Sequence, residues 1–227
     1  MKKSIIFLSI FLILLANLYA KDKEKTVAVL KKVVKEVSYN NSNNSDWETA
    51  KKGIPLRNGY GIKTGSRSLA VISFLDGSIL LVRAESIVHV YGKVDAGKEN
   101  KETHIESGIV GFKVKKQSED EEFNFTTPTG LASIRGTKGF FKVDLNETML
   151  VVEEGLIEVK GLKGAKESGS VSAGNTAVIL ANGKVRIDKT NKKNLKLLNK
   201  VKKTKTVKYK IETDKGDYEI EILDKQK

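Results

Sequence analysis

The stretch Phe123 to Val143, FNFTTPTGLASIRGTKGFFKV, decides the reading of the fold. Phe123 and Phe125 alternate ahead of a TTPTG turn at Thr126 to Gly130, and Ala132 and Ile134 follow it. Apolar alternation on both sides of a Pro/Gly turn predicts two strands folded back on each other. Pro128 fixes its own φ and has no N–H for a ladder, so it belongs in the turn. Arg135-Gly136-Thr137 comes next, and the stretch closes on Phe140, Phe141 and Val143. Gly136 interrupts an otherwise continuous second strand, which marks a bulge or a close approach of another backbone. No nucleophile stands beside a base here, and the stretch reads as a scaffold.

Working outward, similar pieces recur on both sides. Ala70 to Leu75 and Ile79 to Val82 flank Asp76-Gly77, a hairpin signal, and Asn182-Gly183 is another. Further strand-like runs are Ile87 to Tyr91, Gly108 to Val114, Met149 to Val152, Leu156 to Val159, Thr176 to Leu180 and Lys184 to Ile187. Two short strands are expected between Thr26 and Tyr39. Eighteen of the 19 glycines lie between Gly53 and Gly183, so turns recur throughout. Many short strands with no long helical period predict an all-β domain, either a sandwich or a short solenoid.

The order Phe123-x-Phe125-x-Thr127-Pro128, Ala132, Arg135-Gly136-Thr137 resembles the core motif of the FecR domain family. Trp47, Gly53, Pro55, Leu56, Gly61-Ile62-Lys63-Thr64-Gly65 and Asp76-Gly77-Ser78 look like that family's first half. Val151 to Val159, then Ala173-Gly174, look like its later part. The resemblance covers roughly residues 26–188. It implies short strands in a solenoid-like or twisted two-sheet arrangement, and a non-enzymatic role. Proteins resembling FecR are best known as periplasmic receivers of a signal from an outer-membrane transporter, passed inward to a sigma factor. The full version carries a cytoplasmic segment before one membrane helix. Here only Met1-Lys2-Lys3 precede the apolar run, so signalling is expected to need a separate membrane partner.

The N-terminus predicts export. Lys2 and Lys3 precede an apolar run from Ile5 to Leu15 and then Ala20, the layout of a signal peptide over residues 1–20. That run is shorter than the roughly 20 residues of a spanning helix. No spanning helix is therefore expected after cleavage, leaving only peripheral membrane contact. The expected location is the periplasm, with the outer surface or secretion as alternatives. No cysteine is present, which excludes disulfides and a lipid-bearing cysteine.

Loss of the leader lowers the net charge from +13 to +11. Ten lysines and no acids lie between Lys189 and Lys210, so the basic character belongs to a tail. Leu195, Leu198 and Val201 predict a short amphipathic helix there. Val207-Tyr209-Ile211 and Tyr218-Ile220-Ile222 predict a β-hairpin after it. Residues 189–227 thus form a small appendage. Lys192, Lys193, Lys196, Lys200, Lys202, Lys203 and Lys205 are the candidates for holding an anionic surface, whether lipid headgroup or wall polymer. Export makes nucleic acid a poor partner despite the charge.

Catalytic and cofactor signatures are not found. His89 and His104 have no Cys or suitably spaced second His beside them, so no zinc site is expected. The acidic run Glu119 to Glu122 lacks the glycine turn of a calcium loop. No phosphate loop, dinucleotide fingerprint or nucleophile elbow occurs. Glu153 and Glu154 are adjacent on a strand and point to opposite faces, so they cannot act as a glycosidase pair. Arg135, with its planar fork of donors, suits capping loop carbonyls. Trp47 reads as a core residue, with a carbohydrate platform as the alternative. No enzyme and no cofactor are expected. Two readings remain open: a signal-sensing or protein-interaction module of the envelope, or an envelope-binding protein anchored by its lysine tail.

Overall fold

The computed structural model describes residues 25–42, 46–95, 98–117, 121–204, 206–213 and 216–223. The expected leader, the acidic residues Glu119 and Asp120, and Lys205 lie outside these residues. Described strands in chain order begin with β1 (Thr26–Val34), β2 (Val37–Asn40), β3 (Glu48–Thr49), β4 (Pro55–Arg57), β5 (Tyr60–Thr64) and β6 (Leu69–Phe74). Next come β7 (Ile79–Val82), β8 (Ser86–Asp95), β9 (Lys98–Lys113), β10 (Glu122–Thr126), β11 (Gly130–Ile134) and β12 (Lys138–Val143). The series closes with β13 (Glu147–Glu154), β14 (Leu156–Gly161), β15 (Ser168–Ser172), β16 (Asn175–Leu180) and β17 (Val185–Lys189).

These strands form two stacked layers joined through β9. One layer runs β4-β1-β6-β7-β9-β12-β13-β16-β17. The other runs β3-β2-β5-β8-β9-β10-β11-β14-β15. Every pairing is antiparallel except β9 with β10. The chain winds from layer to layer in hairpins: β10–β11 in the second, β12–β13 in the first, β14–β15 in the second, β16–β17 in the first. The outer strands β3, β4, β15 and β17 leave open edges, so the arrangement is not a closed barrel. The all-β architecture is the twisted two-sheet alternative, wound in a solenoid-like manner.

The side-chain period of two explains the core. β14 buries Ile157, Val159 and Gly161 and exposes the residues between them. Facing residues of both layers interdigitate in one cluster. Phe74, Phe112 and Phe141 from the first layer meet Phe123 and Phe125 from the second at ring-centre distances of 4.8–5.3 Å. The paired phenylalanines of the opening motif are therefore the centre of the sandwich.

The strand β9 changes layers midway. Its first half pairs with β8 and β10, and from Gly108 onward it pairs with β7 and β12. Gly108 has φ +101°, and a Cβ there would lie 2.5 Å from the Ser86 Cα. No side chain fits that space without moving backbone. Gly108→Ala is expected to lower stability by about 1–3 kcal/mol or more. A shift of the urea midpoint measures this, and an unchanged midpoint would remove Gly108 as the pivot.

Gly136 requires a correction. The second strand is not one interrupted strand: β11 lies in the second layer and β12 in the first. Gly136, at φ +67°, turns the chain from one to the other, and a Cβ would stand 3.3 Å from the Lys116 Cα. Backbone proximity, rather than a bulge, is what the glycine answers to.

The tail folds as expected in outline. The helix α1 (Lys192–Val201) is capped by Asn191, whose side chain accepts from the Asn194 N–H. Its Leu198 and Val201 bury against Phe140 and Val151 on the outer face of the first layer. A hairpin of β18 (Thr206–Thr213) and β19 (Gly216–Leu223) follows. Among the described residues no helix is long and apolar enough to cross a membrane.

Candidate functional site at the junction of the motifs

The D-G-S turn and the R-G-T turn are far apart in sequence and meet at one end of the sandwich. Asp76 turns back on its own hairpin. Its Oδ1 accepts from the Ser78 N–H at 2.8 Å, and its Oδ2 accepts from the Ser78 hydroxyl at 2.9 Å. Oδ2 also accepts from the Gln117 amide at 3.1 Å and lies 3.3 Å from the Lys101 ammonium. Lys101 donates to the Gln117 Oε1 at 3.1 Å. Gln117 donates to the Lys115 carbonyl, and the Lys115 N–H returns to the Ser78 hydroxyl. Arg135 closes the set from the other turn, its Nε donating to the Gln117 carbonyl at 3.1 Å.

Lys101 and Gln117 are 2% and 3% exposed, so this is a buried ionic network rather than a surface one. Burial pushes the Asp76 carboxyl up. The Ser78 amide, the Gln117 amide, the Ser78 hydroxyl and the Lys101 ammonium outweigh that push and hold it below the ordinary carboxylate range. Every polar atom of the carboxylate is committed. The network can hold loops together, and it offers no free base or nucleophile.

A second polar knot sits under the Thr-Pro turn. Thr127 is buried, donates to the Gly130 carbonyl at 3.1 Å and accepts from its N–H at 3.0 Å. The Thr148 hydroxyl on β13 donates to Thr127 at 2.7 Å and accepts from Thr129 at 2.7 Å. Three threonine hydroxyls thus tie the turn of the second layer to a strand of the first. Pro128 lies half-buried at the apex between them. Thr137 is buried, and among the described residues its hydroxyl has no partner. Its carbonyl accepts from the Val114 N–H, which keeps the 114–117 loop in place.

The motif residues therefore fall into two groups. Arg135 joins the Asp76 network, while Thr127 and Pro128 belong to the threonine knot; Gly136 and Thr137 shape the crossing between layers. Lys101, Gln117 and Thr148 escaped the reading of the sequence. Lys101 sits in KENKETHIES, where Lys101, Thr103 and Ile105 share the inward phase. A lysine in an inward phase is the signal that would have pointed to a buried acidic partner.

The tail lysines divide as well. Lys192, Lys193, Lys196, Lys200 and Lys203 are exposed. The exposed Lys202 differs from these in that its ammonium pairs with Glu153 on β13. Arg83 donates to the Lys203 carbonyl at 2.7 Å, a further tie between tail and domain. Beside the helix, Ile79, Leu81, Phe112 and Gly139 floor an open recess of about 230 Å³, rimmed by Lys113 and Lys138. Trp47 is half-buried, with the Lys63 ammonium 5.8 Å from its ring centre.

Comparison with known proteins follows the same lines. The profile of the family described as FecR protein matches residues 60–158, a span that contains both the Asp76 turn and the Arg135 turn. Two crystal structures of a candidate anti-sigma factor from Parabacteroides distasonis ATCC 8503 share the fold, each at a TM-score of 0.50 and 14% identity. Each alignment covers 60% of this chain and 62% of the other, so this chain spans about three fifths of the solved protein's length. None of the curated proteins matches. Over residues 60–158, the chain is similar to the FecR family.

Proposed function

We propose that this chain is an exported, non-enzymatic protein of the cell envelope whose FecR domain senses or relays a signal by binding another protein. The observation that carries this reading is that both family motifs are spent on holding the sandwich rigid, through the Asp76 network and the threonine knot. A scaffold so tied presents a fixed surface, which is what a docking module uses. Regulatory proteins of the anti-sigma type share the fold, which supports the same class of role. Photo-crosslinking from surface positions of the full chain in the envelope tests it. One discrete protein adduct is expected; adducts with no single protein partner would overturn it.

A second reading, anchoring to an anionic surface, is favoured by the exposed lysines along α1. Lys192, Lys193, Lys196 and Lys200 all face solvent on a helix whose other side is docked. Replacing these four with glutamine is expected to abolish retention on anionic vesicles at low salt. Each basic residue near such a surface contributes about 1 kcal/mol. Unchanged retention, measured by sedimentation, would remove the tail from that role.

A further inference from the structure

The outer face of the second layer carries a cluster that the sequence spacing conceals. Strands β8 and β9 pair so that His89 stands directly opposite His104, fifteen residues later. Both imidazoles are half-buried on the outward face, with ring centres 6.4 Å apart. Glu106 lies two residues beyond His104, so it shares that face. Its Oε2 is 3.7 Å from the His89 Nε2.

The hydrogen bonds fix which nitrogen of His104 is available. The Thr126 hydroxyl donates its single proton to the Glu102 Oε1 at 2.7 Å. Its oxygen is 3.0 Å from the His104 Nδ1 and can only accept there. His104 must therefore carry its proton on Nδ1, which leaves the lone pair on Nε2. A carboxylate acting on an imidazole from behind is the outer-shell arrangement that orients metal-binding histidines. Opposite His89 on β5 is Gly61, where a Cβ would come within 3.0 Å of the His89 Cε1.

We propose that His89 and His104 form a two-imidazole site for a divalent transition ion, zinc in the first instance, with Glu106 and water completing its coordination. Imidazole nitrogen suits zinc, copper or nickel, and not calcium or magnesium. Among the described residues no three such ligands stand already gathered around one point. The site closes by small side-chain rotations. With Zn–N bonds of about 2.0–2.1 Å, two imidazoles on a tetrahedral ion have ring centres roughly 5 Å apart, so the pair tilts inward by about an ångström. The inference is independent of the proposed partner binding.

Titration of the full chain with Zn²⁺ alone, followed by calorimetry, tests it. One ion per chain is expected, with affinity falling at least tenfold in His89→Gln and in His104→Gln. Thr126→Val cannot touch the ion, yet it frees the His104 tautomer, and a loss of about tenfold is expected. The imidazole ¹⁵N spectrum of the unaltered protein supplies a readout that no folding defect can mimic. Zinc is expected to shift both ring signals, and His104 is expected to show the Nδ1–H pattern before zinc is added. Absence of saturable binding, retention of affinity in both histidine variants, or zinc-insensitive ring signals would each overturn the proposal.

Discussion

Asp76→Ala is expected to destabilise the protein by about 3–5 kcal/mol, because it strands the Lys101 ammonium. Lys101 is 2% exposed, and among the described residues Gln117 and Asp76 receive its protons. The Asp76 side chain is 16% exposed, too little for water to replace the lost partner. Lys101→Met is expected to cost less, since Asp76 would keep Ser78 and Gln117. The double substitution should then cost less than the two singles summed, with a coupling of roughly 0.5–3 kcal/mol. The pH dependence has a definite sign. The folded Asp76 pKa is depressed, so its contribution is present above the unfolded value of about 3.9 and is lost as pH falls through the folded value. Asp76→Asn should accordingly flatten the acid side of the stability profile. A loss below 1 kcal/mol for Asp76→Ala would mean that the network is ornamental.

Phe125→Ala is expected to cost about 3–5 kcal/mol, the usual range for emptying a buried phenylalanine site. Phe125 is fully buried, and its ring centre lies 5.3 Å from Phe112, 5.1 Å from Phe123 and 5.1 Å from Phe141. It is one of the side chains through which the layers touch, and neither layer can close the gap without shifting its backbone. Leu145→Ala serves as the contrast: Leu145 is 79% exposed, and its loss should fall within about 0.5 kcal/mol. Urea unfolding of both variants measures the difference. Equal midpoints would contradict the placing of the core between the layers.

The all-β class was legible because alternation survives wherever one face is buried. Phe123-x-Phe125 and Ile157-x-Val159 show this plainly, and Asp76-Gly77 and Asn182-Gly183 mark real hairpins. The first half of β9 was not legible, because Lys101 and Thr103 hold inward positions that alternation assigns to apolar residues. A buried polar network erases the hydrophobic period at the place where it forms. At Gly136 the close approach of another backbone was legible as one of two alternatives, but the change of sheet was not. A glycine inside an apolar run looks alike whether a strand bulges or leaves its sheet, and only the long-range pairing of β12 with β9 separates the two. The histidine pair was hidden by register, since residues fifteen apart become neighbours only once β8 and β9 are paired. The tail helix was legible from Leu195, Leu198 and Val201, but the pairing of Lys202 with Glu153 is a tertiary contact.

The central claim, that the FecR domain acts by holding a protein partner, is tested most directly by capture from envelope extract across a salt series. The full chain and its four-lysine glutamine variant would be compared. Charge attraction fades as the screening length falls from about 10 Å at 0.1 M salt to about 3 Å at 1 M, whereas a packed interface persists. The account predicts one discrete protein retained by both forms at both ends of the series. Material held only by the unaltered chain, and only at low salt, would contradict it.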